Sequence, residues 1–509
     1  MRSVYSNLVI PLTAAALAAS ASPTITLKSY PNVLNLTSEF DPIKEAYWTG
    51  LPHHRRTPFA VSPDGQTGYI AYLDASGTDV HVQHIHPPSM TAKGPDVTLP
   101  GLKEAGGIVA HDHGFALLGN EAIPSSVSNA PPSGTPVPAI YRWKNGKQVW
   151  KTFVAGPGVH ESDGLSMSPD MNGDLVWSEE AQLYGAYFVV TAYTGWAEGH
   201  FGDSIQYVDD SGELKSIAGA SSSWGCSHNT GIAFEAADEP PFASVCAEDQ
   251  GAIWLNTKTQ GMGSDGVKIS NENTTNGASG EPSKLSSRLI VLLGVVFANE
   301  DGQSVGGMSG SYSSLARFDN SSAYIFAWVS RGASSLSEND WMGAGYTHAL
   351  NRTNGRRVAI ATLSDKATLA TAQASSTLGE GGDSQITWVT PSIGPDRSNA
   401  HVATFDDYYA LVSWEEIASP ECEFVAMGCG GEFTGTYYQL VDREGKNVGE
   451  AIKSMDTYVA GDMVSMGDGR ICWPYVEMEW SLSKAGGFGG VEGQKTAESI
   501  SFACVSLQQ

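Results

Sequence analysis

The sequence predicts an all-β chain closed into a seven-bladed β-propeller, and three observations carry that prediction. A strand–turn–strand unit recurs seven times, β-branched and aromatic runs lie between the copies, and six cysteines suit an oxidising compartment. Repetition of a hairpin over tens of residues, with four strands per unit, is the pattern of blades around an axis.

The first copy is Thr57 to Asp74 (TPFAVSPDGQTGYIAYLD): an apolar strand, a Pro-Asp-Gly turn and a second strand closed by a carboxylate. The second, Gly106 to Glu121 (GGIVAHDHGFALLGNE), turns at Asp112-His113-Gly114. The third, Ser162 to Glu179 (SDGLSMSPDMNGDLVWSE), has its turn residues at Pro169 to Gly173. The remaining four are Ser227 to Asp249, Ser309 to Arg331, Asn399 to Glu416 and Gly461 to Glu477. Runs at Val80 to Ile85, Ala139 to Trp143, Ser204 to Val208, Val358 to Thr362 and Tyr437 to Val441 supply further strands of each sheet. Spacing between copies varies from about 50 to 90 residues, which keeps paired β-sandwich domains as the alternative fold.

The stretch Ser62-Pro63-Asp64-Gly65 ahead of Tyr69 resembles the turn of several propeller families of the TolB-like kind, and Ser168 to Asp174 resembles half of it. The resemblance covers one hairpin and half of another. It supports a fold and names no activity, because one propeller architecture hosts binding modules, hydrolases, lyases and oxidoreductases.

Residues 1–21 read as a secretory signal: Arg2, an apolar stretch from Leu8 to Ala19, and a small-residue site at Ala19-Ser20-Ala21. The stretch is too short to span a bilayer and holds Pro11, so a retained anchor is the weaker alternative. The expectation is a secreted, monomeric protein whose propeller occupies residues 22–509. Sequons at Asn35, Asn273, Asn320 and Asn351 mark candidate glycosylation sites. Cys226, Cys246, Cys422, Cys429, Cys472 and Cys504 contain no C-x-x-C pair and read as disulfides rather than a zinc cluster. Sequence neighbours suggest 226 with 246, 422 with 429 and 472 with 504, although six cysteines allow 15 connectivities.

One segment breaks the pattern. Residues 284–305 contain the continuous apolar run Leu289 to Phe297 between Gly/Ser-rich stretches, which reads either as an extra buried strand or as an insertion foreign to the fold.

The formal charge is −26, and loss of Arg2 with the signal makes it −27. Nucleic acid needs clustered Lys and Arg that this chain lacks, so it is excluded as a partner. A solvated acidic surface explains the charge, and so does a role with metal cations or cationic ligands. No H-E-x-x-H, Walker, dinucleotide or nucleophile-elbow motif is present, which removes the zincin, P-loop, dinucleotide and α/β-hydrolase classes. Asp170 to Asp174 imitates part of a calcium loop but lacks its closing Glu and reads as a hairpin turn. His81, His84 and His86 fall on one strand, expected to be an outer one.

Antiparallel strands bring the residue opening the first strand to the same end as the residue closing the second. The closing positions are Asp74, Glu121, Glu179, Asp249, Arg331, Glu415 or Glu416, and Glu477; the opening positions include Asp163, His228, His401 and Asp462. If the first strand is innermost, these ring the mouth of a central channel. Repeated strand-end carboxylates also serve as loop caps, a structural role of comparable weight. The histidines are harder to explain that way. His228, His401, Asp163 and Asp462 are therefore the candidate catalytic and divalent-metal residues, with Glu121, Glu179, Arg331, Glu415 and Glu477 as substrate-binding candidates. The expected function is hydrolysis, elimination or epimerisation of an extracellular peptide or carbohydrate. The alternative is a lectin-like or adaptor propeller without chemistry. Trp177, Trp196, Trp224, Trp254, Trp328, Trp414 and Trp473 could stack on sugar or peptide faces, but several fall inside the repeated strands, where core packing is the better reading.

Overall fold

The computed structural model describes residues 23–45, 52–160, 164–168, 173–195, 198, 202–218, 220, 232–235, 239–247, 252–256, 266–271, 315–338, 347–351, 353, 355–380, 385–392, 394–421, 430–478 and 496–508. Every regular element among them is a strand. They form seven antiparallel sheets of four or five strands, and the repeated first strand lies at one edge of each sheet.

Seven apolar clusters, one between each pair of neighbouring sheets, close these sheets into a ring. Blade 1 runs from Phe59–Val61 through Gly68–Leu73 and Asp79–His86, and packs on blade 2 through Tyr69, Val82, Ile108 and Phe115. Blade 7 returns to blade 1 through Phe502 and Cys504 against Phe59 and Tyr72. Second strands such as Gly68–Leu73, Leu183–Ala192 and Tyr324–Ser330 are buried along their whole length. Each is sandwiched between neighbouring blades, so its sequence is continuously apolar rather than alternating. Trp254, Trp328, Trp414 and Trp473 are all buried here, as packing residues.

The turns have the chemistry that their sequence predicts. In blade 1, Pro63 starts the bend and Gly65 takes a φ of 68°, a region open to glycine at no steric cost. Ser62 Oγ donates to Asp64 Oδ1 at 2.5 Å, and Asp64 Oδ1 accepts the Gln66 N–H at 2.9 Å. These hydrogen bonds hold the Asp64 carboxyl below its usual range.

Six of the seven predicted hairpins are the first two strands of a blade. The third differs. Leu165–Met167 and Gly173–Ser178 both pair with Leu183–Ala192, so they are two parts of one interrupted first strand. The third copy is therefore not a hairpin of two strands, and its expected turn residues from Pro169 to Asn172 lie outside the described residues. Glu179 therefore lies at the far end of the first strand, not at the closing end of the second.

Blade 7 is assembled from both ends of the chain. Val464–Ser465, Arg470–Tyr475 and Ala497–Gln508 come from the C-terminal side, and Thr24–Phe40 adds the outermost strand from Thr24↔Gln508 to Phe40↔Ala497. Cys472 and Cys504 face each other across the middle of this sheet and form a disulfide. The other suggested pairs, the signal segment and residues 284–305 lie outside the described residues. Two hairpins decorate the ring: Ala333–Glu338 with Thr347–Asn351 in blade 5, and Ile43–Glu45 with Pro52–His54 ahead of blade 1. The second delivers His54, Arg55 and Arg56 towards the axis. No helix among the described residues is long and apolar enough to cross a membrane.

Candidate functional site in the central channel

The first strands of six blades enclose a cavity of about 970 Å³ on the axis. Val61, Ile108, Val176, Leu315, Val402 and Val464, one from each of blades 1, 2, 3, 5, 6 and 7, give it apolar walls. At one end lie Asp174 and Asp462; at the other is the exposed turn Asp319 to Ser322 of blade 5.

Arg56 closes the first end. Its side chain is 4 % exposed, and its guanidinium reaches blades 2, 3 and 7. Nε donates to Asp462 Oδ1 at 2.9 Å, Nη1 to the carbonyls of Gly106 and Gly173, and Nη2 to Asp174 Oδ1 at 3.0 Å, with Asp462 Oδ1 2.8 Å from Nη2 as an ion pair. Four of the five N–H donors of the guanidinium fork are thus in hydrogen bonds with described residues. Asp462 is equally committed, since its Oδ2 accepts the Phe59 N–H at 3.1 Å. The backbones must approach closely for this. At Gly107 a Cβ atom would come within 2.6 Å of the Leu175 nitrogen of the next blade, so no larger residue fits.

Asp174 is held on one side only. Oδ1 takes Arg56 and the Leu175 N–H at 2.9 Å, while no described residue bonds to Oδ2 and the side chain keeps 23 % of its surface towards the cavity. Burial, reinforced by the nearby Asp462 charge and opposed by Arg56, raises its carboxyl to about 6. Near neutrality this group can both give and take a proton.

A second polar array lies beside the channel in blade 6. A bulge between Ser398 and His401 puts Asn399 in the left-handed region at φ 52° and turns its amide inwards. Asn399 Nδ2 donates to Glu415 Oε1 at 2.9 Å and to the Val459 carbonyl at 2.8 Å. Its Oδ1 therefore faces His401 Nε2 at 2.8 Å, and that nitrogen must carry the hydrogen. His54 Nε2 lies 2.8 Å from Glu415 Oε1. The result is a buried chain His54–Glu415–Asn399–His401.

Of the residues expected to ring the channel mouth, the structure brings His401 and Glu415 together through Asn399, and among the described ones Asp462 alone lines the cavity. Glu121 is bound by Lys151 of the outer strand of its blade, and Glu179 by the Trp177 indole at 2.8 Å. Glu477 accepts from Asn32 Nδ2 at 3.1 Å, and Arg331 is fully buried with its carbonyl bonded to Thr353. Asp74 caps its own turn through Ser76 and Thr78. Strand-end capping and bracing between strands thus account for much of the repeated acid. His228, Asp163 and Asp249 lie outside the described residues, as do Asn273 and the Asn351 side chain. Asn35 and Asn320 are exposed. Among the described residues no three His, Cys, Asp or Glu side chains converge as a metal ion would require.

Arg56 and Asp174 were not singled out by their sequence pattern. Arg56 ends the run His53-His54-Arg55-Arg56, conspicuous in a chain with 29 Lys and Arg against 55 Asp and Glu. Asp174 was absorbed into the apparent hairpin turn of the third copy.

No known protein family matches the sequence, and no curated protein matches it. Among solved structures it is similar to the quinohemoprotein alcohol dehydrogenase ADHIIG from Pseudomonas putida HK5, with a TM-score of 0.42 and 11 % identity over 87 % of this chain and 65 % of that one. The β-propeller domain of the Trilobed protease from Pyrococcus furiosus aligns with a TM-score of 0.33 and 7 % identity over 79 % and 82 %. A subtype N10 neuraminidase-like protein of A/little yellow-shouldered bat/Guatemala/060/2010 gives 0.34 and 8 % over 77 % and 94 %. This chain thus spans 65 % of the dehydrogenase's length. Likeness at this level carries no argument about activity.

Proposed function

We propose that the protein is a secreted enzyme that takes an extracellular substrate, a peptide or a carbohydrate, into the central channel and uses Asp174 as its general acid and base. The observation that carries this reading is the asymmetric anchoring of Asp174: one oxygen fixed by Arg56 and a backbone N–H, the other bonded by no described residue, on a side chain that lines the cavity. Fixing one oxygen orients the carboxyl without consuming its proton-transfer capacity. Arg56 and Asp462 are positioning residues in this scheme, because their hydrogen bonds brace neighbouring blades. Hydrolysis, elimination and epimerisation all need such a group, set to exchange a proton near neutral pH.

The secretory route rests on residues 1–21 and on the Cys472–Cys504 disulfide, which suits an oxidising compartment. A divalent metal held by His228, His401, Asp163 and Asp462 is a separate proposal, for which His401 would have to give up Asn399 and Asp462 would have to give up Arg56; elemental analysis of the purified protein decides it. The commitment of Arg56 to Gly106, Gly173, Asp174 and Asp462, which makes it a brace between blades, favours a second reading, a binding propeller without chemistry. Turnover separates the two. Peptide and oligosaccharide panels incubated with the secreted protein and followed by mass spectrometry should reveal a consumed substrate, with a limb in the rate profile near pH 6. Asp174→Asn should lower that rate by ~10²–10⁴-fold while substrate still binds. A variant as fast as the wild type would overturn the catalytic reading.

A further inference from the structure

We infer that the channel accepts a molecule with an apolar body and a protonated amine head, the amine set against Asp174 Oδ2. The inference rests on the channel being the binding site, and it narrows the substrate to peptide-like or other amphipathic amines. Neutral sugars are disfavoured.

The closed end presents two carboxylates to the cavity, and Arg56 is not among the residues that line it. Arg56 is bonded to Gly106, Gly173, Asp174 and Asp462, both Asp462 oxygens accept hydrogen bonds, and no described residue bonds to Asp174 Oδ2. A ligand carboxylate would meet this oxygen with like charge. A sugar ring could pair some hydroxyls with lining residues such as Asn320, Ser322 and Thr404, but those set against Val61, Ile108, Val176, Leu315, Val402 and Val464 would lack partners at a cost for each. An ammonium head supplies the missing donor and charge in one group, and an alkyl or aromatic body covers the walls. The rest of the protein assists. Asp319 at the open end has Asp406 and Asp407 for neighbours, and the chain carries a charge of −26, so the field at the entrance draws cations inwards.

Proton and amine compete for the same oxygen. The charged groups around Asp174 are Arg56 and Asp462, with Arg317 and Asp319 also lining the cavity. Amine binding requires the carboxylate, so affinity should be full above the Asp174 value of about 6 and fall as pH drops through it.

The test is calorimetric titration of the full secreted protein with hexylamine, hexanol, hexanoate and methyl glucoside. At pH 7.5 hexylamine should bind roughly 10-fold or more tightly than hexanol, the increment of one charge-assisted hydrogen bond, and hexanoate and the glucoside should be weaker still. The gap should close at pH 5. Asp174→Asn should abolish the preference and Asp174→Glu should retain it, which guards against a folding artefact in one variant. Hexanol equal to hexylamine, or a glucoside that binds better than either, overturns the inference. So does unchanged hexylamine affinity in Val176→Trp, which narrows the cavity on the strand that carries Asp174. If Asp174→Asn abolishes turnover of a neutral sugar while hexylamine does not bind, the amine class falls and the acid–base reading stands. If hexylamine binds as expected while Asp174→Asn keeps full turnover, the amine site stands and the catalytic reading falls.

Discussion

The two ends of the central channel use similar residue types and differ in what those residues hold. At the closed end, Arg56, Asp174 and Asp462 join four blades, and a single carboxylate oxygen is left over. At the open end, Asp319 to Ser322 form a turn tied to its own blade and to the next; Ser321 Oγ, for example, accepts from Ala323 N at 3.0 Å and from Arg443 Nη2 at 2.8 Å. An acidic side chain at a channel end is therefore not enough to mark a site. One held on one side and left open on the other, where burial raises its proton affinity, is a different object.

This contrast can be broken most severely at Arg56. Arg56→Met leaves two carboxylates and two carbonyls without their donor, and the expected loss is ~3–5 kcal/mol in chemical unfolding, typical of removing one partner of a buried ion pair. A loss under ~1 kcal/mol would show that the closed end is not cross-braced.

Asp174→Asn sharpens the contrast through pH. Because burial raises the Asp174 carboxyl from 3.8 to about 6, the folded protein holds this proton more tightly than the unfolded chain does. Its contribution to stability is complete below about pH 4 and is lost as pH rises through 6. Asparagine does not titrate, so the wild-type Tm minus the Asp174→Asn Tm should decrease between pH 4 and 7. A difference that stays flat across this interval would refute the burial argument.

The smallest effect belongs to the open end. Burial and the charges of Asp406 and Asp407 raise the Asp319 carboxyl, but the residue is exposed and solvent screens most of that cost. Asp319→Asn should stabilise the protein by no more than ~0.5 kcal/mol at neutral pH. A change as large as that at Arg56 would erase the distinction between the two ends.

The ring was legible in the sequence because each blade repeats local chemistry. Pro63, Asp64 and Gly65 define a turn by themselves, and Tyr324 to Ser330 reads as a strand buried on both sides. Blade 3 was misread because Leu165–Met167 and Gly173–Ser178 pair with the same strand, Leu183–Ala192, and sequence alone does not say which strand a short run pairs with. The site was less legible for a related reason. Its polar contacts join positions as distant as Arg56, Gly106, Asp174 and Asp462, and no periodicity links them. His401 and Glu415 were visible because they recur at blade ends. Asn399, which connects them, depends on a bulge and a left-handed backbone that its residue type permits but does not announce.

The composite seventh blade also sets a timetable. Thr24–Phe40 is synthesised first of all the strands in the ring, and its pairing partner Ala497–Gln508 last, so the outermost strand waits through the making of six blades before it has a neighbour to bond. Contacts of this sequence separation are slow to form, and an unpaired strand edge exposed meanwhile invites association between nascent chains. Cys472 likewise has no partner until Cys504 emerges 32 residues later. Late closure makes the last dozen residues decisive for quality control: a chain cut before Ala497 would carry six blades, an open ring and a free thiol, all recognisable to retention machinery as unfinished.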